Sequence, residues 1–154
     1  MNQDEMACPL TKGERILVAL DGSRHSEAAL DQAISLGKTC NSRIYAITVV
    51  DLYPAQFEMA PKLYEKMTEQ ANQILESAKE RIEKENIPCE TIVHTGGQPH
   101  EFIVEEAKVK NIDLIVMGTH GRTGLKRFFM GSVAERVIGH APCAVMVVPT
   151  PSQA

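Results

Sequence analysis

The chain has 154 residues, of which about 44% are apolar, and its formal net charge at pH 7 is −4. A chain of this length suits one domain with its own core, since it buries roughly two-thirds of its unfolded surface on folding. Acidic and basic residues are mixed along the sequence, whereas a nucleic-acid-binding domain concentrates basic residues on one face. The longest apolar runs, such as residues 112–118 and 144–148, are too short to cross a bilayer. We therefore expect neither a nucleic-acid partner nor a membrane partner.

The two ends of the chain predict no targeting segment. Residues 1–12 carry Asp4 and Glu5 in place of the positive flank of a secretory signal, so we interpret them as a flexible lead-in. We expect one domain over residues 13–150, a flexible tail over residues 151–154, and a cytoplasmic protein.

The cysteines are widely spaced and form neither a Cys-x-x-Cys pair nor a pattern with histidine that suits a metal ion. Free cysteine is often buried and unreactive. We therefore expect reduced thiols at all four positions, which are Cys8, Cys40, Cys89 and Cys143.

The first half of the chain alternates between strand and helix patterns. Residues 15–20 are a continuous apolar run that ends in turn residues, which predicts a strand. A helical pattern follows from Ser23 and stops at Gly37. Residues 43–50 predict a second strand, and residues 51–61, with two prolines, predict a loop.

The longest predicted helix covers residues 62–86, and its apolar residues recur at steps of three and four, which places them on one face. They are Leu63, Met67, Ala71, Ile74, Ala78 and Ile82. A coiled coil and packing onto a sheet both explain such a stripe. Because the run covers only about three heptads and the strands need a cover, the pattern favours packing onto a sheet.

The second half continues the alternation. The predicted elements are a strand at 89–95, a helix from Pro99 to about 110, a strand at 112–117, a short helix at 132–140 and a strand at 143–148. Apolar strands separated by helices predict a parallel sheet that is covered on both faces.

Ligands of open parallel sheets bind outside the carboxyl ends of the strands, which directs attention to the loop after the fourth strand. Gly118, Gly121 and Gly124 follow each other at intervals of three, and Gly131 with Ser132 opens a helix. Glycines allow a ligand to approach the backbone closely, and a helix N-terminus attracts anions, so this loop suits a phosphate chain. The alternatives are an ordinary surface loop and, for Ser132, a simple helix cap.

Asp21 follows the first strand and offers a second candidate for ligand binding. A carboxylate at this position accepts hydrogen bonds from ribose hydroxyls in dinucleotide folds, and the alternative, which the sequence favours, is a helix N-cap or turn residue. Neither a Walker A sequence nor the Rossmann glycine pattern is present, which argues against a P-loop ATPase and a dehydrogenase.

The pattern Gly118-x-x-Gly121, nine residues, Gly131-Ser132 resembles the nucleotide-binding signature of the ATP-binding branch of the universal stress protein family. The resemblance covers residues 15–149. It implies an α/β fold with a single five-stranded parallel sheet in the order 3-2-1-4-5 and helices on both faces, which is a Rossmann-like fold of the adenine nucleotide alpha hydrolase type.

The same resemblance implies ATP, or ADP or AMP, as the ligand, with Mg²⁺. Asp21 would hold the ribose with Ala19 close by, Val49 would meet the adenine largely through its backbone, and Met117 would line the pocket. The residues expected to contact the phosphates are Gly118, Gly121, Gly131, Ser132 and Val133, and Arg122 and His120 stand where a basic residue and a histidine are common in the family. No catalytic residue and no protein metal ligand is assigned.

The resemblance also implies a homodimer formed through residues 144–148, which would otherwise be an exposed apolar sheet edge. Three functions stay open. The first is a nucleotide-dependent regulatory protein of the stress response, with a protein partner that the sequence does not identify. The second is a slow ATPase or phosphoryl-transfer enzyme, and the third is a dimeric interaction module without nucleotide. The sequence favours the first, with at most weak hydrolysis of ATP.

Overall fold

The computed structural model describes residues 7–120 and 130–150. Strands and helices alternate along the chain. The elements are β1 (Arg15–Ala19), α1 (Arg24–Cys40), β2 (Arg43–Val50), α2 (Pro54–Met59), α3 (Pro61–Lys84), β3 (Cys89–Thr95), α4 (Pro99–Val109), β4 (Leu114–Gly118), α5 (Ser132–His140) and β5 (Ala144–Val148).

The strands form one parallel sheet in the order β3-β2-β1-β4-β5, which confirms the predicted order. β1 is the central strand, and its Ile16 lies opposite Ile44 on β2 and Leu114 on β4. The chain therefore reverses its direction of winding between β1 and β4, and a crevice opens at the carboxyl ends of those two strands.

Helices cover both faces of the sheet. Alternate residues of β1 point to opposite faces, so Ile16 and Val18 pack with α1 and α3, whereas Leu17 packs with α4 and α5. The stripe predicted on the long helix packs onto the sheet through Ile74, Ala78 and Ile82, and Leu75, which was not predicted, packs beside them. Its first member, Leu63, is 47% exposed and does not belong to this contact.

Two predicted boundaries are wrong. α1 does not stop at Gly37 but continues to Cys40 and is capped by Asn41, whose φ is 52°. Gly37 lies inside the helix because the sheet approaches it closely: a Cβ atom there would lie 3.0 Å from Ile44 Cδ1. The predicted loop at residues 51–61 contains the helix α2.

The two prolines explain the second error. Pro54 and Pro61 each occupy the first turn of a helix, where the missing N–H removes no hydrogen bond. They therefore start α2 and α3 instead of interrupting the chain. None of the helices among the described residues has the length and apolar character that crossing a membrane requires.

The expectation of four reduced thiols is also wrong. Cys8 and Cys40 form a disulfide across 32 positions of sequence, and the described cysteines that stay free are Cys89 and Cys143. The pair forms because the segment before β1 folds back onto the end of α1. Sequence spacing carries no trace of such a tertiary contact.

Candidate functional site

A cavity of about 420 Å³ lies at the carboxyl ends of β1, β2 and β4, where the order of the strands reverses. We call it the crevice. Its volume falls within the range of small-molecule sites. Of the residues predicted for the site, those that line the crevice are Ala19, Asp21, Val49, Met117, Gly118, His120, Gly131, Ser132 and Val133. Gly121 and Arg122 lie outside the described residues, so their roles stay predictions.

Asp21 sits in a tight turn between β1 and α1. Its Oδ1 accepts the backbone N–H of Ser23 at 2.9 Å, and its own N–H donates to Ser26 Oγ at 3.3 Å. Ser23 caps α1, since its Oγ accepts the N–H of Ser26 at 3.2 Å. The turn role that the sequence left open is therefore real, and it holds the carboxylate at the wall of the crevice.

The backbone of Val49 faces the crevice because β2 extends beyond the end of β1. The carbonyl of Ile47 accepts the N–H of Leu20 at 2.9 Å, so the polar groups of Ile47 point toward β1. Backbone direction alternates along a strand, so the N–H and C=O of Val49, two residues on, point the same way. Among the described residues they find no hydrogen-bond partner on that side. Val49 thus presents one donor and one acceptor to a ligand.

Gly118 is required by close packing. A Cβ atom at this position would lie 2.7 Å from the backbone oxygen of His25 in the first turn of α1. A side chain there would push α1 away from the end of β4. The glycine that the sequence suggested for contact with phosphate therefore has a structural reason as well.

The two ends of the glycine-rich loop are joined directly. The N–H of Gly131 donates to the carbonyl of Thr119 at 2.7 Å, and Gly131, not Ser132, is the N-cap of α5. Ser132 is the first residue of the helix, so its interpretation as a cap is wrong. The Gly131 N–H is already used, whereas those of Ser132, Val133 and Ala134 have no backbone acceptor among the described residues. The three residues line the crevice, so the N-terminus of α5, with its partial positive charge, lies at the crevice wall.

A histidine pair lies beside the loop. The ring centroids of His25 and His120 are 5.3 Å apart, and Thr150, which follows β5, contacts His25 Nδ1 through its hydroxyl. Burial lowers the pKa of His25 below 6.5, and the neighbouring charge of His120 lowers it further. Because His120 lines the crevice, the pair lies next to the loop end where phosphates are expected.

The family model described as the universal stress protein family matches residues 13–149. The chain belongs to the universal stress protein family. It is 39% identical over 143 residues to universal stress protein MJ0531 of Methanocaldococcus jannaschii, and this match covers 91% of the chain and 84% of the relative.

Solved structures of the family share the fold. The universal stress protein UspA from Lactobacillus plantarum has a TM-score of 0.80 at 27% identity, with 89% of this chain and 98% of that one covered. The universal stress protein from Archaeoglobus fulgidus in complex with dAMP has a TM-score of 0.66 at 24% identity, covering 89% of this chain and 98% of that one.

In this member of the family, sequence reasoning missed part of the crevice wall. Met67 and Ala71 of α3 and Pro99 and Ile103 of α4 also line it. Met67 and Ala71 belonged to the predicted apolar stripe, but all of that stripe was assigned to packing on the sheet. The sequence did contain an indication of this: the apolar stripe is longer than the strands that it covers, so the first turns of the helix extend beyond the edge of the sheet.

Proposed function

We propose that this universal stress protein is an ATP-binding regulatory protein, dimeric and cytoplasmic, that takes the nucleotide with Mg²⁺ in the crevice. The observation that carries the proposal is that residues with three kinds of ligand-binding group line one cavity. These residues are Val49 with its backbone edge, Asp21 with its carboxylate, and the first residues of α5 with the N–H groups of a helix N-terminus. Base, ribose and phosphates need these three kinds of group.

The part of the crevice around Val49 suits an adenine base. Adenine carries an acceptor, N1, beside a donor, the N6 amino group, which matches one backbone N–H and one backbone C=O. Apolar side chains surround this edge, including Met67, Ala71 and Met117. A flat aromatic base buries apolar area there while its polar edge is satisfied by Val49. Guanine presents the opposite polarity and would leave both backbone groups unpaired.

The N-terminus of α5 suits the phosphates. Ser132, Val133 and Ala134 line the crevice, their N–H groups have no backbone acceptor among the described residues, and the helix dipole favours a negative charge at that point. Among the described residues, no three acidic, histidine or cysteine side chains form a metal-binding group. The donor set therefore fits Mg²⁺ that is held largely by phosphate oxygens and water, as is usual for this ion.

A family structure supports the ligand class. The Archaeoglobus fulgidus protein was solved with dAMP, an adenine nucleotide, in a fold that this chain shares. At 24% identity that likeness concerns the fold, so the case for this chain rests on its own crevice. ADP and AMP satisfy the same base and ribose groups and differ only in their contacts with α5.

Regulation fits the crevice better than turnover does. Phosphoryl transfer needs an oriented nucleophile, a metal ion and stabilisation of the developing charge. Asp21 Oδ1 is bound to the Ser23 N–H, an arrangement that suits holding a ribose hydroxyl more than accepting a proton. We therefore expect at most weak hydrolysis. Because ATP is a cytoplasmic ligand, we place the protein in the cytoplasm.

The proposed homodimer uses the open edge of β5. Among the described residues β5 is an edge strand of the sheet, and its residues Val145 to Val148 are half-buried apolar side chains. An unpaired edge of this kind exposes backbone donors and acceptors to association. Pairing with a second copy about a two-fold axis satisfies the same groups on both chains.

The test is to identify and then exchange the bound nucleotide. Gently purified protein is denatured, and the released small molecules are measured by mass spectrometry; we expect near-stoichiometric ATP or ADP. Emptied protein is then titrated calorimetrically with ATP, GTP and ITP. ATP should bind on the order of 100-fold more tightly, since the other bases leave two buried backbone groups unpaired. Protein that is empty as purified and takes up no Mg-ATP would contradict the proposal.

A further inference from the structure

A second chemical feature lies at the far end of α1. Cys40 is the last residue of this helix, and its Cα lies 4.6 Å from that of Cys8, to which it is bonded. α1 has 17 residues and begins beside Asp21, so about 25 Å separate the cysteine end from the crevice. The cysteine pair is therefore not part of the nucleotide site.

The disulfide attaches a short segment, residues 7–13, which we call the strap. The strap has no helix or strand of its own. Leu10 packs against the core beneath α1, and the Ser42 hydroxyl donates to the carbonyl of Gly13. A Cβ atom on Gly13 would lie 3.2 Å from Cys8 Sγ and 3.3 Å from Cys40 Cβ, so the strap folds tightly over the bridge.

Both bridged cysteine residues are half-buried, so the bridge lies at the surface of the fold and not inside the core. The other two cysteines differ in reactivity. Burial raises the pKa of Cys89 to about 11, and burial also raises the pKa of Cys143. Because a raised pKa keeps both groups protonated at neutral pH, and a thiol is a poorer nucleophile than a thiolate, these two cysteines exchange slowly.

We propose that Cys8 and Cys40 form a reversible redox site whose reaction partner is a small disulfide of the glutathione class. When the pair is oxidised, the thiolate of one cysteine attacks the small disulfide. This attack breaks the S–S bond of the small molecule and forms a mixed disulfide. The second cysteine then attacks the protein sulfur of that bond and closes the bridge. Two protein S–H bonds are lost, one S–S bond replaces another, and two electrons and two protons leave as two molecules of the small thiol.

Reversibility follows from the cytoplasmic part of the proposed function. Disulfides of cytosolic mesophilic proteins are usually transient or redox-sensing, because the compartment holds reduced glutathione. The pair therefore reports the thiol–disulfide balance, and what it changes is the strap. Reduction breaks the covalent link between the strap and α1, so only noncovalent contacts, such as those of Leu10 and Gly13, hold the strap against the domain.

The first experiment counts thiols. Protein treated with oxidised glutathione is denatured, alkylated with iodoacetamide and weighed intact, and the same is done after dithiothreitol. We expect two adducts in the oxidised protein, at Cys89 and Cys143, and four in the reduced protein. Cys8→Ser and Cys40→Ser should each give three adducts after dithiothreitol and show no internal bridge after oxidation. Four adducts in the oxidised wild-type protein would mean that no bridge forms, and would overturn the proposal. A bridge that persists in the folded protein in excess dithiothreitol would mean that it is not reversible, and would overturn the proposal as well.

The second experiment follows the strap. Hydrogen exchange at residues 9–13 should become faster on reduction, while β1 and the middle of α1 keep their protection. The melting temperature should fall on the order of 10 °C, because the bridge closes a loop of more than 30 residues in the unfolded chain. Cys89→Ala keeps the pair and should show the same fall. Exchange in the strap that does not respond to reduction would refute its release. Because no nucleotide enters either measurement, failure here is distinct from failure of the proposed function.

Discussion

A Cβ atom on Gly118 would lie 2.7 Å from the backbone oxygen of His25, which is closer than real contacts allow. The end of β4 and the first turn of α1 therefore touch through a residue that must lack a side chain. Since Asp21 and the cap residue Ser23 lie just before that turn, the contact also sets the width of the crevice.

We predict that Gly118→Ala destabilises the protein, because either α1 or β4 has to shift. Overpacking of this kind costs about 1–3 kcal/mol. Gly139→Ala is the matched control: Gly139 lies in α5, where an added Cβ meets nothing within 4 Å. The control should stabilise by about 0.5–1 kcal/mol, since alanine is the better helix former. Urea unfolding measures both, and equal stability of the two variants would contradict the packing argument.

A proline substitution tests whether the N–H groups at the start of α5 bind the phosphates. Ser132 is the first residue of the helix, where proline is tolerated, and the preceding Gly131 has φ −62° and ψ 149°, which suits a residue before proline. Ser132→Pro removes the hydroxyl and one N–H, whereas Ser132→Ala removes the hydroxyl alone. We expect Ser132→Pro to bind ATP about 10-fold to 100-fold more weakly than Ser132→Ala, as expected for one hydrogen bond to a charged group. Calorimetry measures the affinities, and circular dichroism checks the helix.

Equal affinities of the two Ser132 variants would show that this N–H does not contact phosphate. The loss should also be larger for ATP than for adenosine, which has no phosphate. A similar loss for both ligands would indicate a distorted crevice instead of a missing donor.

The contact of the Asp21 carboxylate with the ribose is tested by the substitution Asp21→Asn. Asp21→Asn keeps an oxygen that accepts the Ser23 N–H, so the turn should survive, but the negative charge for the ribose hydroxyls is lost. We expect ATP affinity to fall about 10-fold to 100-fold. Asp113→Asn is the control, because Asp113 likewise accepts a backbone N–H, that of Arg15 at 3.0 Å, at the opposite end of the sheet. If both variants bind ATP like the wild type, Asp21 serves only the turn.

Apolar runs, helix periods and right-handed crossovers predicted a parallel sheet and left only a few strand orders, and the resemblance to the family supplied the order itself. The place of Asp21 followed from the edge of a parallel sheet where ligands bind, whereas Val49 was named only through the resemblance to the family. The sequence did not predict α2, since Pro54 and Pro61 suit both a loop and the start of a helix. Contacts between distant segments, such as Cys8 with Cys40 or Met67 with the crevice, depend on tertiary packing that periodicity does not describe.

His25 should titrate below pH 6.5, because burial and the charge of His120 both lower its pKa. A lower pKa in the folded state means that the unfolded chain binds the proton more readily, so His25 lowers stability as pH falls below 6.5 and has no such effect above it. NMR titration of the ring protons measures the midpoint. His120→Asn should raise it without restoring 6.5, since burial remains. A wild-type midpoint at or above 6.5 would contradict the assignment.

The dimer is tested at the outer edge of β5. The N–H of Thr119 donates to the carbonyl of Val148 at 3.2 Å, so the polar groups of Val148 face β4, and those of Val147 point outward by alternation. Val147→Pro removes an outward N–H and keeps the hydrogen bonds to β4, a substitution that edge strands tolerate. Light scattering after size exclusion should show a dimer for the wild type and a monomer for Val147→Pro. Val147→Ala, which retains the N–H, should remain dimeric. If Val147→Pro is still a dimer, the copies associate through another surface.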